Sequence, residues 1–252
     1  MIKLSNITYS FLLCFLAGFA TLIGTIIIFI TQKKTDKIIT SCLSFAAGVM
    51  ICVSITDLIP ESLGLISKSF LPFPAILICL ISFCCGVIIS MLIDHFFPNQ
   101  INDNNQLFRV GIISMLAIIF HNIPEGIATF MTTHNNLSLG TTLTIAIALH
   151  NIPEGICIAV PIYYATKSRG KAFKYTLISA LSEPLGAFLA YLFLTPIIND
   201  LSMGFLYGII AGIMIHISFY ELLPTSFKYK KYRLSIIFFI IGSVIMIINH
   251  FI

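Results

Sequence analysis

The sequence predicts an all-α polytopic membrane protein with eight transmembrane helices in a 3+2+3 arrangement. Three observations carry that prediction. First, 58% of the 252 residues are hydrophobic and only 10% are charged, with a mean hydropathy of +1.02, whereas soluble domains are nearer a quarter charged. Second, apolar runs long enough to cross a bilayer fall at about 8–30, 38–58, 74–96, 109–131, 139–163, 172–194, 203–223 and 234–252. Third, twelve of the fourteen Lys and Arg residues lie in 31–37, 97–109, 164–174 and 224–233, leaving only Lys3 and Lys68 outside. The positive-inside rule puts those loops in the cytoplasm and both termini on the extracytoplasmic face of the cell membrane. The chain is expected to be one transmembrane domain over 1–252, with 97–107 as a short cytoplasmic loop and no nucleic-acid partner despite a formal charge of +4.

The first run carries Gly18 and Gly24 and no charge, which marks it as packing material. Its apolar stretch is too long for a signal-peptide h-region, so it is expected to remain as a span. The second run passes through Ala47-Gly48-Val49-Met50-Ile51 to Asp57-Leu58-Ile59-Pro60-Glu61-Ser62. The seventh repeats it as Ala211-Gly212-Ile213-Met214-Ile215 to Glu221-Leu222-Leu223-Pro224-Thr225-Ser226. At an offset of 164, eight of the sixteen residues from Ala47 to Ser62 are identical. An odd number of crossings separates the two copies, so the repeat is inverted in the membrane, a construction used by secondary transporters. The third run ends in Asp94-His95 and leads into an Asn/Gln-rich loop expected to be mobile.

The fourth and fifth runs each contain His-Asn-Ile-Pro-Glu-Gly, at His121-Asn122-Ile123-Pro124-Glu125-Gly126 and His150-Asn151-Ile152-Pro153-Glu154-Gly155. Residues four apart share a helix face, so each copy presents His and Glu together with Asn beside them, half of a ligand set. Each proline removes a backbone donor and predicts a kink, while each glycine admits a neighbouring backbone. Ionisable groups at mid-bilayer cost about 2.5–3.5 kcal/mol each on insertion scales, which polar packing between two helices does not require. The sixth run adds Ser182-Glu183-Pro184, and the eighth is almost featureless. At 1.5 Å per residue, His121, His150 and Glu183 all lie roughly 16–18 Å from one membrane face, close to the midplane. By the same count Asp57 and Glu61 mark an outer mouth, with His134 nearby, and Glu221, Asp94 and His95 an inner one. His216, deeper in the seventh run, is equally consistent with core packing and with lining the path.

Neutral imidazole and carboxylate suit Zn²⁺, Fe²⁺, Mn²⁺ and Co²⁺, and the absence of Cys and Met from the cluster argues against Cu⁺. Two His, two Asn and three Glu exceed the needs of one tetrahedral ion; Glu125 and Glu154 could bridge two ions about 4 Å apart. Seven cysteines, all within the apolar runs, are expected to be packing residues without disulfides.

These residues resemble the ZIP transporters of divalent metals, most closely their bacterial ZupT-like branch, over essentially the whole chain. The resemblance implies that His121, Asn122, Glu125, His150, Asn151, Glu154 and Glu183 are the metal ligands. It also implies that zinc, iron, manganese, cobalt or cadmium is cargo carried into the cytosol, with no catalytic cofactor, and that the chain forms a homodimer. An intramembrane metal-dependent hydrolase would use the same ligands, but H-E-x-x-H is absent and an inverted repeat has no evident use in such an enzyme. A di-iron redox protein pairs Glu with a His three residues later, the reverse of the order here.

Overall fold

A computed structural model describes residues 2–30, 36–96, 103–192 and 199–250, with side chains at 2–5, 96, 103–104 and 250 left aside. The connection at 31–35 and most of the expected cytoplasmic loop, 97–102, lie outside the described residues. Every regular element among them is helical. Among the described residues seven helices are long and apolar enough to cross a membrane: α1 (Asn6–Ile30), α2 (Asp36–Ser67), α3 (Pro72–His95), α4 (Asn105–Asn135), α5 (Leu137–Thr166), α7 (Asp200–Phe227) and α8 (Tyr232–Asn249). The stretch expected to form the sixth span is two shorter helices, α6a (Arg169–Ala180) and α6b (Ser182–Leu192), separated at Leu181.

That break follows from Pro184, which has no N–H for the carbonyl of Ala180. The freed carbonyl faces Gly18 of α1, where any Cβ would collide with it. Pro124 and Pro153 behave differently, because each is accommodated inside a helix that continues on both sides. The repeat reaches the backbone: Ser54–Leu58 and Ser218–Leu222, again 164 apart, are both single π-turns followed two residues later by a proline, Pro60 and Pro224. In each, the serine hydroxyl at the start donates to the carbonyl four residues back, Met50 or Met214.

Helix pairing is duplicated in the same way. A Cβ on Gly48 of α2 would meet the Phe239 carbonyl of α8, and one on Gly212 of α7 would meet the Phe83 carbonyl of α3. Gly126 of α4 lies against the Glu183 carbonyl of α6b, and Gly155 of α5 against the Thr21 carbonyl of α1. Both motif glycines thus do what their sequence context predicts, and backbones meet where two helices can approach only without a side chain. The most enclosed helix is α2, 78% buried over its apolar window, while α3 and α8 are each 22% buried there and turn large apolar side chains outward. All seven cysteines are free, and five of them are buried.

Candidate metal centre

The HNIPEG copies bring three donors together at the α4–α5 contact. His121 Nε2 lies 3.2 Å from Glu125 Oε1, and His150 Nε2 lies 3.0 Å from the same oxygen. One ligand atom from each of these three residues falls within 4.8 Å of the others. Glu154 approaches from the second copy, its Oε1 3.5 Å from His121 Nε2. A tetrahedral ion with bonds of about 2.1 Å has ligand-to-ligand edges of about 3.4 Å, so these spacings suit donors arranged around one small divalent cation.

All four side chains are buried, His121 completely. Within this enclosure Glu125 Oε2, Glu154 Oε2, His121 Nδ1 and both amide atoms of Asn122 make no hydrogen bond among the described residues. Buried carboxylates and amides left unpaired cost free energy unless another group satisfies them. A cation held between the two motifs would do so.

Asn151 and Glu183 form a separate contact. The Asn151 amide donates to Glu183 Oε2 at 2.9 Å and to the Ala17 carbonyl at 2.9 Å, joining α5 to α6b and α1. Glu183 Oε1 and Asn151 Oδ1 remain unpartnered and fully enclosed. The break before α6b sets Glu183 in the first turn of that helix, where a carboxylate is favoured by the helix dipole.

Two cavities contain the remaining charged candidates. One, of about 520 Å³, is lined by Glu125 and His150 together with Asp57, Glu61, Tyr207 and Asn249. His134 is not among its lining residues; that ring stacks on Phe130. The other, of about 450 Å³, is lined by Asp94, His95, His216 and Glu221 but by no residue of the HNIPEG motifs. His216 therefore belongs to a cavity wall; its Nδ1 is 2.9 Å from Ser90 Oγ and 3.6 Å from Asp94 Oδ2.

Arg109 corrects the sequence reading, which assigned it to the loop before the fourth span. It sits inside a helix, 6% exposed, and its guanidinium crosses the second cavity to reach Glu221 Oε2 at 2.5 Å and Asp94 Oδ1 at 3.1 Å. The signal was present in the sequence: Arg109 opens an apolar run that carries no other charge until Glu125, and a cation there needs partners. Fully buried apolar and sulfur side chains, among them Met50, Ile118, Cys157 and Met214, occupy the core around these helices.

Residues 99–250 match the family model described as ZIP Zinc transporter. The chain is 40% identical to the zinc transporter ZupT of Clostridium perfringens, covering 98% of this chain and 96% of that protein. It is 38% identical to the ZupT proteins of Streptococcus mutans (95% of this chain, 96% of the relative) and Campylobacter jejuni (97% and 96%). The enzyme alternative is set aside, since these relatives are transporters. A paired HNIPEG centre in an all-helical bundle of membrane-length helices and a match over nearly the full chain lead to one conclusion: the protein belongs to the ZIP family of metal-ion transporters.

Proposed function

We propose that the protein carries Zn²⁺, and with it Fe²⁺, Mn²⁺, Co²⁺ and Cd²⁺, across the cell membrane into the cytosol. The observation that carries this reading is the convergence of His121, Glu125 and His150 at the Asp57 cavity. A cation attracted by Asp57 and Glu61 reaches Glu125 and His150 without crossing a packed layer. On the opposite side Arg109 ties α4 to α3 and α7. The basic loops lie at the Arg109 end, so the positive-inside rule makes that end cytoplasmic and the arrangement outward-open.

Eight crossings in a three, two, three order, with α6a and α6b together supplying the sixth, account for the duplicated glycine contacts and the paired π-turns. His121, Glu125 and His150 hold the first ion. Asn122, Glu154, Asn151 and Glu183, with their unpartnered oxygens, supply a second, for which Glu125 is the bridge through Oε2. Release needs the Arg109 contacts to part, opening the path to Asp94, His95, His216 and Glu221. Mg²⁺ gives up water reluctantly and Ca²⁺ takes six to eight oxygens, so the two imidazoles discriminate against both.

The test is uptake of radioactive zinc by sealed vesicles containing only the purified protein. Saturable uptake that micromolar Cd²⁺ or Co²⁺ inhibits, and millimolar Mg²⁺ does not, is the expected result. Absence of uptake by correctly inserted protein, or inhibition by Mg²⁺ equal to that by Cd²⁺, overturns the reading.

A further inference from the structure

A third cavity, of about 500 Å³, lies away from the metal path and has different chemistry. Its walls come from four helices: Ile27 of α1 and Ile156 of α5 on one side, Ile38 and Phe45 of α2 with Leu234 and Phe238 of α8 on the other. It is therefore a cleft between one helix group, α1 with α5, which carries the second HNIPEG copy, and another, α2 with α8. Ile27, Ile38, Phe45, Ile156, Leu234 and Phe238 are only partly buried, so the cleft opens outward. Beside it the outer faces carry Ile26, Ile30, Ile236 and Ile237, all exposed, which is the character of a lipid-facing belt.

One charged residue lines the cleft, Lys37, at the first turn of α2. It is exposed and makes no ion pair among the described residues. More basic groups gather at the same end. Arg233 immediately precedes Leu234, and Lys230 and Lys231 precede it in turn. Arg169 donates through Nε to the Ile28 carbonyl and lies 5.4 Å from the Phe29 ring centre, next to Ile27. An apolar slot with a cationic rim at one end is complementary to a molecule with an apolar tail and an anionic head.

We propose that this cleft is a binding site for an anionic phospholipid, whose acyl chain fills the slot between α1, α5, α2 and α8 and whose phosphate is held by Lys37. The charge excludes a purely apolar occupant as the best fit, because Lys37 at the rim of an apolar groove gains most from a phosphate. The walls exclude a soluble anion, which leaves about 500 Å³ of apolar space unfilled. A lipid seated there touches both helix groups at once, so it is placed to influence how they move against each other.

The protein contains no tryptophan, which allows a direct test. Phe238→Trp and, separately, Leu234→Trp each place one fluorophore in the cleft, and Ile240→Trp places one on the exposed face of α8. Each full-length variant is reconstituted in phosphatidylcholine vesicles containing either phosphatidylglycerol or phosphatidylcholine with brominated chains, and quenching yields a relative association constant. A basic residue near an anionic headgroup contributes about 1 kcal/mol, or about five-fold. The cleft reporters are expected to favour the anionic lipid about five-fold, the preference is expected to disappear with Lys37→Ala, and Ile240→Trp is expected to show no preference with or without Lys37. Equal quenching by both lipids at both cleft positions, or an anionic preference that survives Lys37→Ala, overturns the proposal. The readout is independent of transport.

Discussion

Glu125 is the residue on which the proposed metal centre turns, since one of its oxygens lies 3.0–3.2 Å from both imidazoles. Glu125→Gln keeps the side-chain volume and replaces an anionic oxygen with a neutral amide, so it isolates the charge. Loss of an outer-shell partner in metal sites costs 10–100-fold in affinity, so loss of a direct anionic ligand is expected to exceed about 100-fold, or about 2.7 kcal/mol. Thermal unfolding in detergent, with and without zinc, reads this directly. At a free zinc concentration of 100 Kd the unmodified protein gains about 2.7 kcal/mol from ligand linkage; a variant whose Kd is 100-fold weaker gains about 0.4 kcal/mol at the same concentration. Without zinc, the variant is expected to melt within a few degrees of the parent, because the substitution removes a buried charge without opening a cavity. Zinc stabilisation retained in full by a normally folded Glu125→Gln protein, together with near-normal uptake, would refute the assignment of His121, Glu125 and His150 as the cation site.

Four further outcomes follow from the geometry. Asp57→Asn is expected to raise the apparent KM for uptake more than it lowers the maximal rate, and the difference is expected to shrink as ionic strength rises, because a half-buried carboxylate at a cavity mouth acts by raising local cation concentration; a change in maximal rate alone contradicts this. Arg109→Gln leaves Glu221 buried without its cation, a loss of about 3–5 kcal/mol, and adding Glu221→Gln is expected to return part of that stability; a double variant no more stable than Arg109→Gln disproves the coupling. Gly126→Ala drives a methyl group into the Glu183 carbonyl and is expected to cost about 1–3 kcal/mol, whereas Gly64→Ala, with nothing within 4 Å of its Cβ, is expected to be neutral or stabilising by up to about 1 kcal/mol; equal melting temperatures for the two would remove the close-approach argument. His150→Asp replaces a nitrogen donor with oxygen and is expected to shift competition for uptake from Zn²⁺ towards Mn²⁺, measured as the ratio of inhibitory concentrations.

Much of the centre was legible in advance because its logic is local. His and Glu four residues apart share a helix face wherever that helix is placed, so the motifs announced two half-sites before any contact was known. The π-turns also had a local signature, a serine followed six residues later by proline in both copies of the repeat. The roles within the ligand set were not equally legible. Asn122 and Asn151 are indistinguishable in sequence, yet one has an unpartnered amide and the other spans from Ala17 to Glu183. Arg109 was counted as a loop charge because hydropathy locates a span's end only to within a turn, and the carboxylates that enclose it come from two other helices.

The sequence by itself determined the helical class, the apolar character of the long helices, the 164-residue repeat and which residues could act as donors, since composition and 3.6-residue periodicity are properties of single segments. Only the tertiary structure decided which donors meet. His150 and Glu125 are 25 residues apart, Asn151 and Glu183 32, and Arg109 and Glu221 112. Those pairings exist because bare carbonyls of one helix seat against glycines of another, at Gly126 on Glu183, Gly155 on Thr21 and Gly212 on Phe83. Backbone contact of that kind sets the depth and rotation of each helix, and so which side chains face the same space; no segment carries that information alone.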